Sequence, residues 1–352
     1  MVVMARWMRE AGHRVDVVAP EGSETWLKGL NEGLDMHRTP SFSRHLNRGA
    51  ANRWARGKQA DVMWIRDRAD LAFAGHASQA LGASLIMQQA MQIPSAKNAP
   101  WHMRRYRRVD AWVCGLEHLR QECLERTPLE ADRCHVLPLP LDDRWFTSPV
   151  VESLQAQTQL GLSLPKGTWL VGTVGRLDPG KGQQTALHAL AQLPDHVHWV
   201  FVGDNTVNNG VDEGAELHAL AQTLGVKDRA HFLAAREDVL PVYDALDVFG
   251  MTSDAETIGT VTLEAMAREI PVVGTDAGGT SELLAQGRGV LCPPFHAQAL
   301  AEAVRLVMSE DAEVQKARTT RGRQYAERCR PEQLIPAWEE LIGGVVQSGR
   351  KA

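Results

Sequence analysis

Two glutamates lie eight positions apart in the stretch AETIGTVTLEAMAREIPVVGT, which runs from Ala255 to Thr275. The pattern predicts a loop through Glu256, a helix that opens near Gly259 and a strand at PVVGT. Because a helix rises about 1.5 Å per residue, Glu264 would lie about one and a half turns inside it. Carboxylates accept hydrogen bonds from paired hydroxyls such as those of a ribose or hexose. The two glutamates would therefore hold two hydroxyl-bearing parts of one ligand.

Each glutamate also has an ordinary explanation. Glu256 would favour a helix N-terminus by its charge alone, and Glu264 would be a solvated helix residue. The neighbours Leu263, Ala265 and Met266 are apolar, however, and are expected to face a core. Taken singly, neither glutamate decides between the two explanations.

A second stretch, VGRLDPGKG, places two cations on a glycine-containing loop. A buried strand ends at Gly175, Arg176 and Lys181 follow, and a helix begins near Gln183. A helix N-terminus attracts anions, and arginine binds phosphate in bidentate fashion. The loop matches neither G-x-x-x-x-G-K-[ST] nor G-x-G-x-x-G. An anion site and a pair of solvated surface cations are both consistent with it.

Val- and Ile-rich runs alternate with helical patterns along the 352 residues. This alternation predicts an α/β fold with doubly wound parallel sheets, and the length favours two domains. The stretch Thr147–Gly167 lacks a clear strand and contains two prolines, which is typical of a linker. We therefore expect domains at 1–150 and 151–328.

The N-terminus is unusual for such a fold. A helix ending at Ala11, with Gly12 behind it, leads directly into the strand RVDVVA. A first strand and its glycine-containing loop would normally precede that helix. We therefore expect the first sheet to lack a strand and to leave an edge exposed.

The bulk properties exclude several classes of protein. The net charge of −5 argues against a nucleic-acid partner. The five cysteines are odd in number and form no C-x-x-C pair, which favours reduced thiols in a cytosolic protein. No apolar run approaches the roughly 18 residues of a membrane span, and no signal-peptide pattern is present.

The two stretches become specific in combination. VGRLDPGKG followed by SDAETIGTVTLEAMAREIPVVGTDAGGTSELL resembles the family 4 retaining glycosyltransferases, which have the GT-B fold and an E-x7-E element. The resemblance is close over most of Trp169–Leu306 and looser over Ala5–Phe146. It implies two Rossmann-like domains that face a central cleft, with a final helix, residues 329–352, that packs back on the first domain.

The resemblance implies a role for each matched residue. Arg176 and Lys181 would bind the diphosphate of a nucleotide sugar and stabilise it as it leaves, with neither a metal nor a cofactor. Glu256 would contact the donor sugar, and Glu264 would bind the ribose. The other donor-binding residues would be Gly175, Gly203, Arg236, Thr257, Ile258, Gly259 and Thr260. The glycine pair Gly278–Gly279 also matches the family.

The sequence departs from the family pattern in several places. Glu269 stands where a helix usually ends in a left-handed glycine, and Ala234 stands where a glycine is common beside the expected base pocket. On the acceptor side, Gln88 and Gln89 follow the strand SLIM, where many members have a histidine. His102 is the substitute candidate for that role, although a single histidine is more often structural.

The densest basic stretch is RRYRR, Arg104–Arg108. It would be a solvated helix face, or it would contact an anionic membrane surface or a phosphorylated acceptor.

The sequence thus predicts a cytoplasmic, metal-independent, retaining glycosyltransferase, with a further expectation of work at the inner face of the membrane. It would move a sugar from a nucleotide-diphosphate sugar to a hydroxyl of a carbohydrate or lipid-linked acceptor, in cell-envelope polysaccharide or lipopolysaccharide assembly. The alternatives are a nucleotide-sugar epimerase or a phosphorylase on the same fold. A third is a donor-binding protein with little or no turnover because its first domain lacks a strand.

Overall fold

The computed structural model describes residues 2–38, 48–208 and 211–349. The strands are β1 Asp16–Ala19, β2 Asp35–Arg38, β3 Val62–Ile65, β4 Ser84–Gln88, β5 Ala111–Cys114, β6 Cys134–Val136, β7 Trp169–Val174, β8 Val197–Val202, β9 Val207–Asn208, β10 Val211–Asp212, β11 Ala230–Leu233, β12 Val248–Met251, β13 Val272–Thr275 and β14 Val290–Cys292. The helices are α1 Val2–Glu10, α2 Glu24–Asn31, α3 Arg48–Ala55, α4 Leu71–Leu81, α5 Pro100–Tyr106, α6 Glu117–Arg126, α7 Arg144–Thr147, α8 Ser153–Gln159, α9 Gln183–Leu190, α10 Glu213–Thr223, α11 Leu240–Asp244, α12 Thr260–Ala267, α13 Gly279–Leu284, α14 Ala297–Ser309, α15 Ala312–Ala326 and α16 Pro331–Gly349.

The chain divides into two compact units. Unit 1 comprises Met1–Asp142 together with Cys329–Ala352, and unit 2 comprises Asp143–Arg328. Helix α16 belongs to unit 1, where Trp338 is fully buried and stacks on Trp64 of β3 with ring centroids 4.0 Å apart. Burial of two indole rings stabilises this attachment of the last helix to the first unit.

Unit 2 begins before the boundary near residue 150 that the sequence suggested. Trp145 meets the ring of Tyr243 edge-on at 5.1 Å. The guanidinium of Arg268 donates to the carbonyls of Ser148 at 2.8 Å and Pro149 at 3.3 Å. The segment that the sequence analysis treated as a linker is therefore fastened to unit 2 by an aromatic contact and by hydrogen bonds.

Unit 1 contains two separate parallel sheets. One has four strands in the order β3-β4-β5-β6, and the other pairs β1 with β2. Strand β2 has the polar sequence DMHR, so its pattern did not predict a strand. Within the described ranges β1 pairs only with β2, and β3 pairs only with β4.

A buried apolar cluster joins the elements of unit 1. Helix α1 contributes Met4, Trp7 and Met8, which pack with residues of β4 and β5 and with Trp338 of α16. The side chains of all five cysteines are buried. Among the described helices, none combines the length and the apolar character that crossing a membrane requires.

Unit 2 contains one six-stranded sheet in the order β11-β8-β7-β12-β13-β14, and all its pairs are parallel. The chain runs outward from β7 through β8 to β11, then returns to β12 and runs outward on the other side. The order therefore reverses between β7 and β12. Ligands of open α/β sheets bind at such a reversal, beyond the carboxyl ends of the strands. The loops that follow β7 and β12 carry Arg176, Lys181 and Glu256.

Glu269 supplies a test of the local backbone, because it has φ +56 at the end of α12. The left-handed conformation costs a non-glycine residue about 1 kcal/mol. We expect Glu269→Gly to raise the free energy of unfolding by about 0.5–1 kcal/mol in urea denaturation. The Glu269 carboxylate also pairs with Lys316 at 3.2 Å, so the substitution is compared with and without Lys316→Ala. A loss of stability in the Lys316→Ala background would contradict the strain at Glu269.

Candidate functional site

An ion pair joins the two loops at the switch point of unit 2. Lys181 Nζ lies 2.8 Å from Glu256 Oε2, and the hydroxyl of Ser253 donates to the same oxygen at 3.3 Å. The side chains of Lys181 and Glu256 are 33% and 17% exposed. Two of the three predicted catalytic residues, Lys181 and Glu256, therefore lie together and remain partly open to a ligand, and the third is Arg176.

Backbone contacts fix the separation of these loops. The Thr252 hydroxyl donates to the carbonyl of Lys181 at 2.7 Å, and the Asp254 N–H donates to the carbonyl of Gly180 at 3.2 Å. Gly182 has φ +69, and a Cβ at this position would lie 1.9 Å from the carbonyl oxygen of Thr252. Only glycine permits both this conformation and this close approach.

Two glycines hold the backbone of Glu256 from the other side. The Gly279 N–H donates to the Glu256 carbonyl at 2.7 Å. Gly278 has φ +54, and a Cβ there would lie 2.2 Å from that same oxygen. The close contact explains the glycine pair that the sequence analysis singled out, since a side chain at Gly278 would push the Glu256 loop away.

The residues between the two glutamates form the start of α12. Gly259 is the N-cap with φ +78, and Thr260 is the first helical residue. Thr257 is half-buried, Thr260 is exposed and the Ile258 side chain is 6% exposed. Ile258 would therefore face a ligand only through its backbone, as the resemblance implied.

The backbone of Arg176 is held by a hydrogen bond, whereas its guanidinium is exposed to solvent. Its carbonyl accepts from the Gln183 amide at 2.8 Å, whereas its side chain is 67% exposed and lies 3.9 Å from Asp178 Oδ2. Beside it, a Cβ at Gly203 would lie 2.0 Å from the carbonyl oxygen of Gly175. The guanidinium is thus available to an anion at the carboxyl end of β7.

Glu264 lies in the second turn of α12, and its Oε2 accepts from the Tyr243 hydroxyl at 2.6 Å. Burial raises the pKa of Glu264 to about 7, and the Tyr243 hydrogen bond and the charge of Arg144 act in the opposite direction. The carboxyl therefore titrates near neutrality. Sequence reasoning missed Tyr243, because a single tyrosine in a short helix has the pattern of an ordinary core residue.

A cavity of about 360 Å³ lies beyond the ends of β8 and β11. Its lining includes Gly203, Asn205, His218, Phe232 and Ala234. The rings of His218 and Phe232 have centroids 4.2 Å apart. Arg236 is exposed, and its Nε donates to the Asp238 carbonyl at 3.4 Å. Sequence analysis expected the base near these strand ends but did not select His218, which reaches the cavity from α10.

The predicted acceptor-side residues are in unit 1. Gln88 and Gln89 are both buried. The Gln89 amide donates to Glu122 at 3.0 Å and accepts from the Trp112 indole at 2.9 Å. His102 is partly exposed on α5. Gln89 therefore has a structural use, and an acceptor role for these residues stays a prediction.

Within the described ranges, no group of three or more His, Cys, Asp or Glu side chains could hold a metal ion. The positive charge at the switch point comes from Arg176 and Lys181.

Gly182 allows a test of how closely the loops must approach. We expect Gly182→Ala to lower the free energy of unfolding by about 2–4 kcal/mol, because the new Cβ would overlap the Thr252 backbone. Gly225→Ala is the matched control: Gly225 has φ +70 but nothing within 4 Å of its Cβ position, so only about 1 kcal/mol is expected. Urea denaturation measures both, and equal losses would show that the contact with Thr252 is unimportant.

Glu264 gives the folded protein a pH-dependent stability. Its pKa rises from the ordinary 4.5 to about 7 on folding, so the unfolded chain loses this proton first as pH rises. The free energy of unfolding therefore falls between about pH 4.5 and pH 7. We expect Glu264→Gln to gain roughly 1–3 kcal/mol relative to the parent between pH 5 and pH 8. Glu313→Gln, on the exposed face of α15, is the control, and a pH-independent difference for Glu264→Gln would refute the prediction.

Comparison with known proteins identifies the region that holds this site. Residues 159–325 match the family model described as glycosyl transferases group 1. The D-inositol 3-phosphate glycosyltransferase of Corynebacterium urealyticum is 33% identical over 171 residues, which cover 47% of this chain and 40% of the relative. The chain spans about half the length of the first curated relatives that it matches.

Two further likenesses extend over more of the chain. The lipopolysaccharide core biosynthesis glycosyltransferase LpsE of Rhizobium meliloti is 27% identical over 80% of this chain and 73% of the relative. The crystal structure of HepE from Anabaena in complex with UDP has a TM-score of 0.82 and 22% identity over 97% of this chain and 94% of that chain. Residues 159–325 thus resemble the glycosyl transferases group 1 family, and the fold is of the GT-B type seen in the related crystal structures.

Proposed function

We propose that this protein is a retaining glycosyltransferase that uses a nucleotide-diphosphate sugar. One observation carries the proposal: the fold groups Arg176, Lys181, Glu256 and Glu264 around the N-terminus of α12, at the switch point of unit 2. A nucleotide-diphosphate sugar carries two charged phosphates between two hydroxyl-bearing rings. The cations and carboxylates of the site match that sequence of groups.

The diphosphate would bind to the cations. Arg176 is exposed, and Lys181 shares its charge with Glu256 alone among the described ion pairs. The backbone N–H groups at the start of α12 add a partial positive charge. These groups would stabilise the nucleoside diphosphate as negative charge develops on it, which is the main requirement for its departure.

The carboxylates would orient the two rings. Glu256 would accept hydrogen bonds from hydroxyls of the transferred sugar, and its position is set by Lys181 and Gly278. Glu264 would accept from the ribose hydroxyls while Tyr243 fixes its other oxygen. The cavity lined by His218 and Phe232 would take part of the nucleoside.

The transfer step needs no protein nucleophile. The bond between the anomeric carbon of the sugar and the phosphate oxygen would break, and a bond to the acceptor oxygen would form on the same face of the sugar. The proton of the acceptor hydroxyl would pass to an oxygen of the leaving phosphate.

The pathway and the acceptor are proposed by analogy with the lipopolysaccharide relative. A carbohydrate or lipid-linked acceptor, a cytoplasmic site of action and contact with the inner face of the membrane belong to this proposal. Acceptor residues would come from unit 1.

Donor binding without turnover is a second candidate. All of the predicted donor residues lie in unit 2, whereas in unit 1 the Gln89 amide is already engaged by Glu122 and Trp112. A protein of this kind would bind a nucleotide sugar and release neither nucleotide nor product.

Calorimetric titration with UDP, GDP and ADP, and with CMP as a control, tests the donor site. We expect one diphosphate to bind, and Arg176→Ala and Glu264→Ala each to weaken it by about 10-fold or more, since each removes a charge-assisted contact. Glu313→Ala is the matched control and is expected to bind like the parent. If no diphosphate binds, the donor site is wrong. If one binds but release of nucleotide from the corresponding sugar nucleotide is undetectable with any acceptor, the second candidate is favoured.

A further inference from the structure

Three arginines and a histidine lie near one another where α3 and α5 pack on α4 in unit 1. They are Arg48, His76, Arg104 and Arg108, here called the arginine cluster. An Arg108 Nη1 proton points to His76 Nδ1 at 3.1 Å. Burial and the charges of Arg108, Arg48 and Arg104 lower the pKa of His76. Burial, and after it the charges of Arg104 and Arg48, also lower the pKa of Arg108, so both arginines lie close enough to act on Arg108 and His76.

In the part of the chain that the structure describes, no carboxylate neutralises the arginines of the arginine cluster. Within the described ranges, none of Arg48, Arg104 and Arg108 forms an ion pair with a carboxylate. No carboxylate contributes to the lowered pKa values of His76 and Arg108. Like charges held together repel, and a multivalent anion relieves that repulsion for all of them at once. Arg48 and Arg104 are exposed and Arg108 is half-buried, so their guanidinium groups are open to a negatively charged ligand.

Gly75 shows that the position of Arg108 is built into the fold. Gly75 is buried in the middle of α4, where glycine is unfavourable for a helix. A Cβ at Gly75 would lie 2.8 Å from Cδ of Arg108. The absent side chain therefore makes room for the Arg108 stem, which brings the guanidinium against His76. A solvated surface arginine needs no such room.

We propose that the arginine cluster is a binding site for a phosphate group. Arginine forks match the geometry of phosphate oxygens, and several of them converge here from different helices. The phosphate would belong to a soluble phosphorylated ligand or to a phospholipid headgroup. The site is separate from the proposed donor site, since it lies in unit 1 and shares no residue with it.

One neighbouring side chain bears on the source of the phosphate. Trp101 is 62% exposed on α5, one turn before Arg104, so the two lie on the same side of the helix. Exposed tryptophans beside arginines are typical of surfaces that meet the membrane interface. The tests therefore include a lipid arm and a soluble arm.

The lipid arm measures co-sedimentation of the full chain with vesicles of phosphatidylcholine alone, or of phosphatidylcholine and phosphatidylglycerol in equal parts. The soluble arm titrates inorganic pyrophosphate by calorimetry. The starting protein in this arm carries Arg176→Ala, so that the cations of unit 2 contribute less to the binding of pyrophosphate. Arg48→Gln, Arg104→Gln and Arg108→Gln are combined in one variant. The matched control replaces an arginine elsewhere in unit 1, Arg14→Gln, which is exposed and paired with Asp16.

We expect the combined variant to bind about 10-fold to 100-fold more weakly in at least one arm. Gly75→Ala removes no charge, yet it should weaken the same binding several-fold, because the new Cβ displaces Arg108. Binding of pyrophosphate would identify a soluble phosphorylated ligand, and binding of anionic vesicles alone would identify a headgroup. The proposal is overturned if neither probe binds, or if the combined variant binds like Arg14→Gln. Because neither arm uses a nucleotide, these results stand whether or not the donor site binds one.

Discussion

The close approach of two loops in unit 2 is the constraint on which the site depends. The loop after β7 and the loop after β12 touch through Gly182 and the backbone of Thr252, and the loop after β13 places Gly278 against the carbonyl of Glu256. Because no side chain separates them, Lys181 and Glu256 reach hydrogen-bonding distance. A parallel sheet whose order reverses between β7 and β12 is what makes the two loops neighbours. Sheet order, glycine placement and charge pairing are therefore parts of one arrangement.

The carboxylate of Glu264 is held in a different way from that of Glu256. Glu264 lies beside the fully buried Tyr243, whose hydroxyl donates to it. A buried carboxylate opposes its own ionisation, which is why its pKa rises to about 7. A ligand that brings hydroxyl donors to Glu264 would favour the ionised form. Binding of such a ligand and release of a proton are then linked at this residue, whereas Glu256 has Lys181 as an immediate counter-charge.

Unit 1 has a different organisation of charge. Its interior is apolar around Met4, Trp7 and Trp338, and the arginines of the arginine cluster form no ion pair with a carboxylate in the part of the chain that the structure describes. At the switch point of unit 2, by contrast, Lys181 pairs with Glu256. The two proposed anion sites would therefore differ, since one contains an ion pair beside a helix N-terminus and the other contains arginines without carboxylates.

The sequence by itself predicted the α/β class and the strands of the four-stranded and six-stranded sheets, and it singled out Arg176, Lys181, Glu256 and Glu264 as candidates, because period, glycine spacing and charge are local properties of the chain. It missed β2, whose pattern is polar, and the hairpin of β9 and β10. Only the tertiary structure decided that Lys181 pairs with Glu256, that Tyr243 holds Glu264, that Gln89 is engaged by Trp112, and that Arg48 and His76 join Arg104 and Arg108. Each of these contacts joins residues far apart in the chain or on different elements. Contacts of this kind follow from strand order and helix packing, which single-residue patterns do not specify.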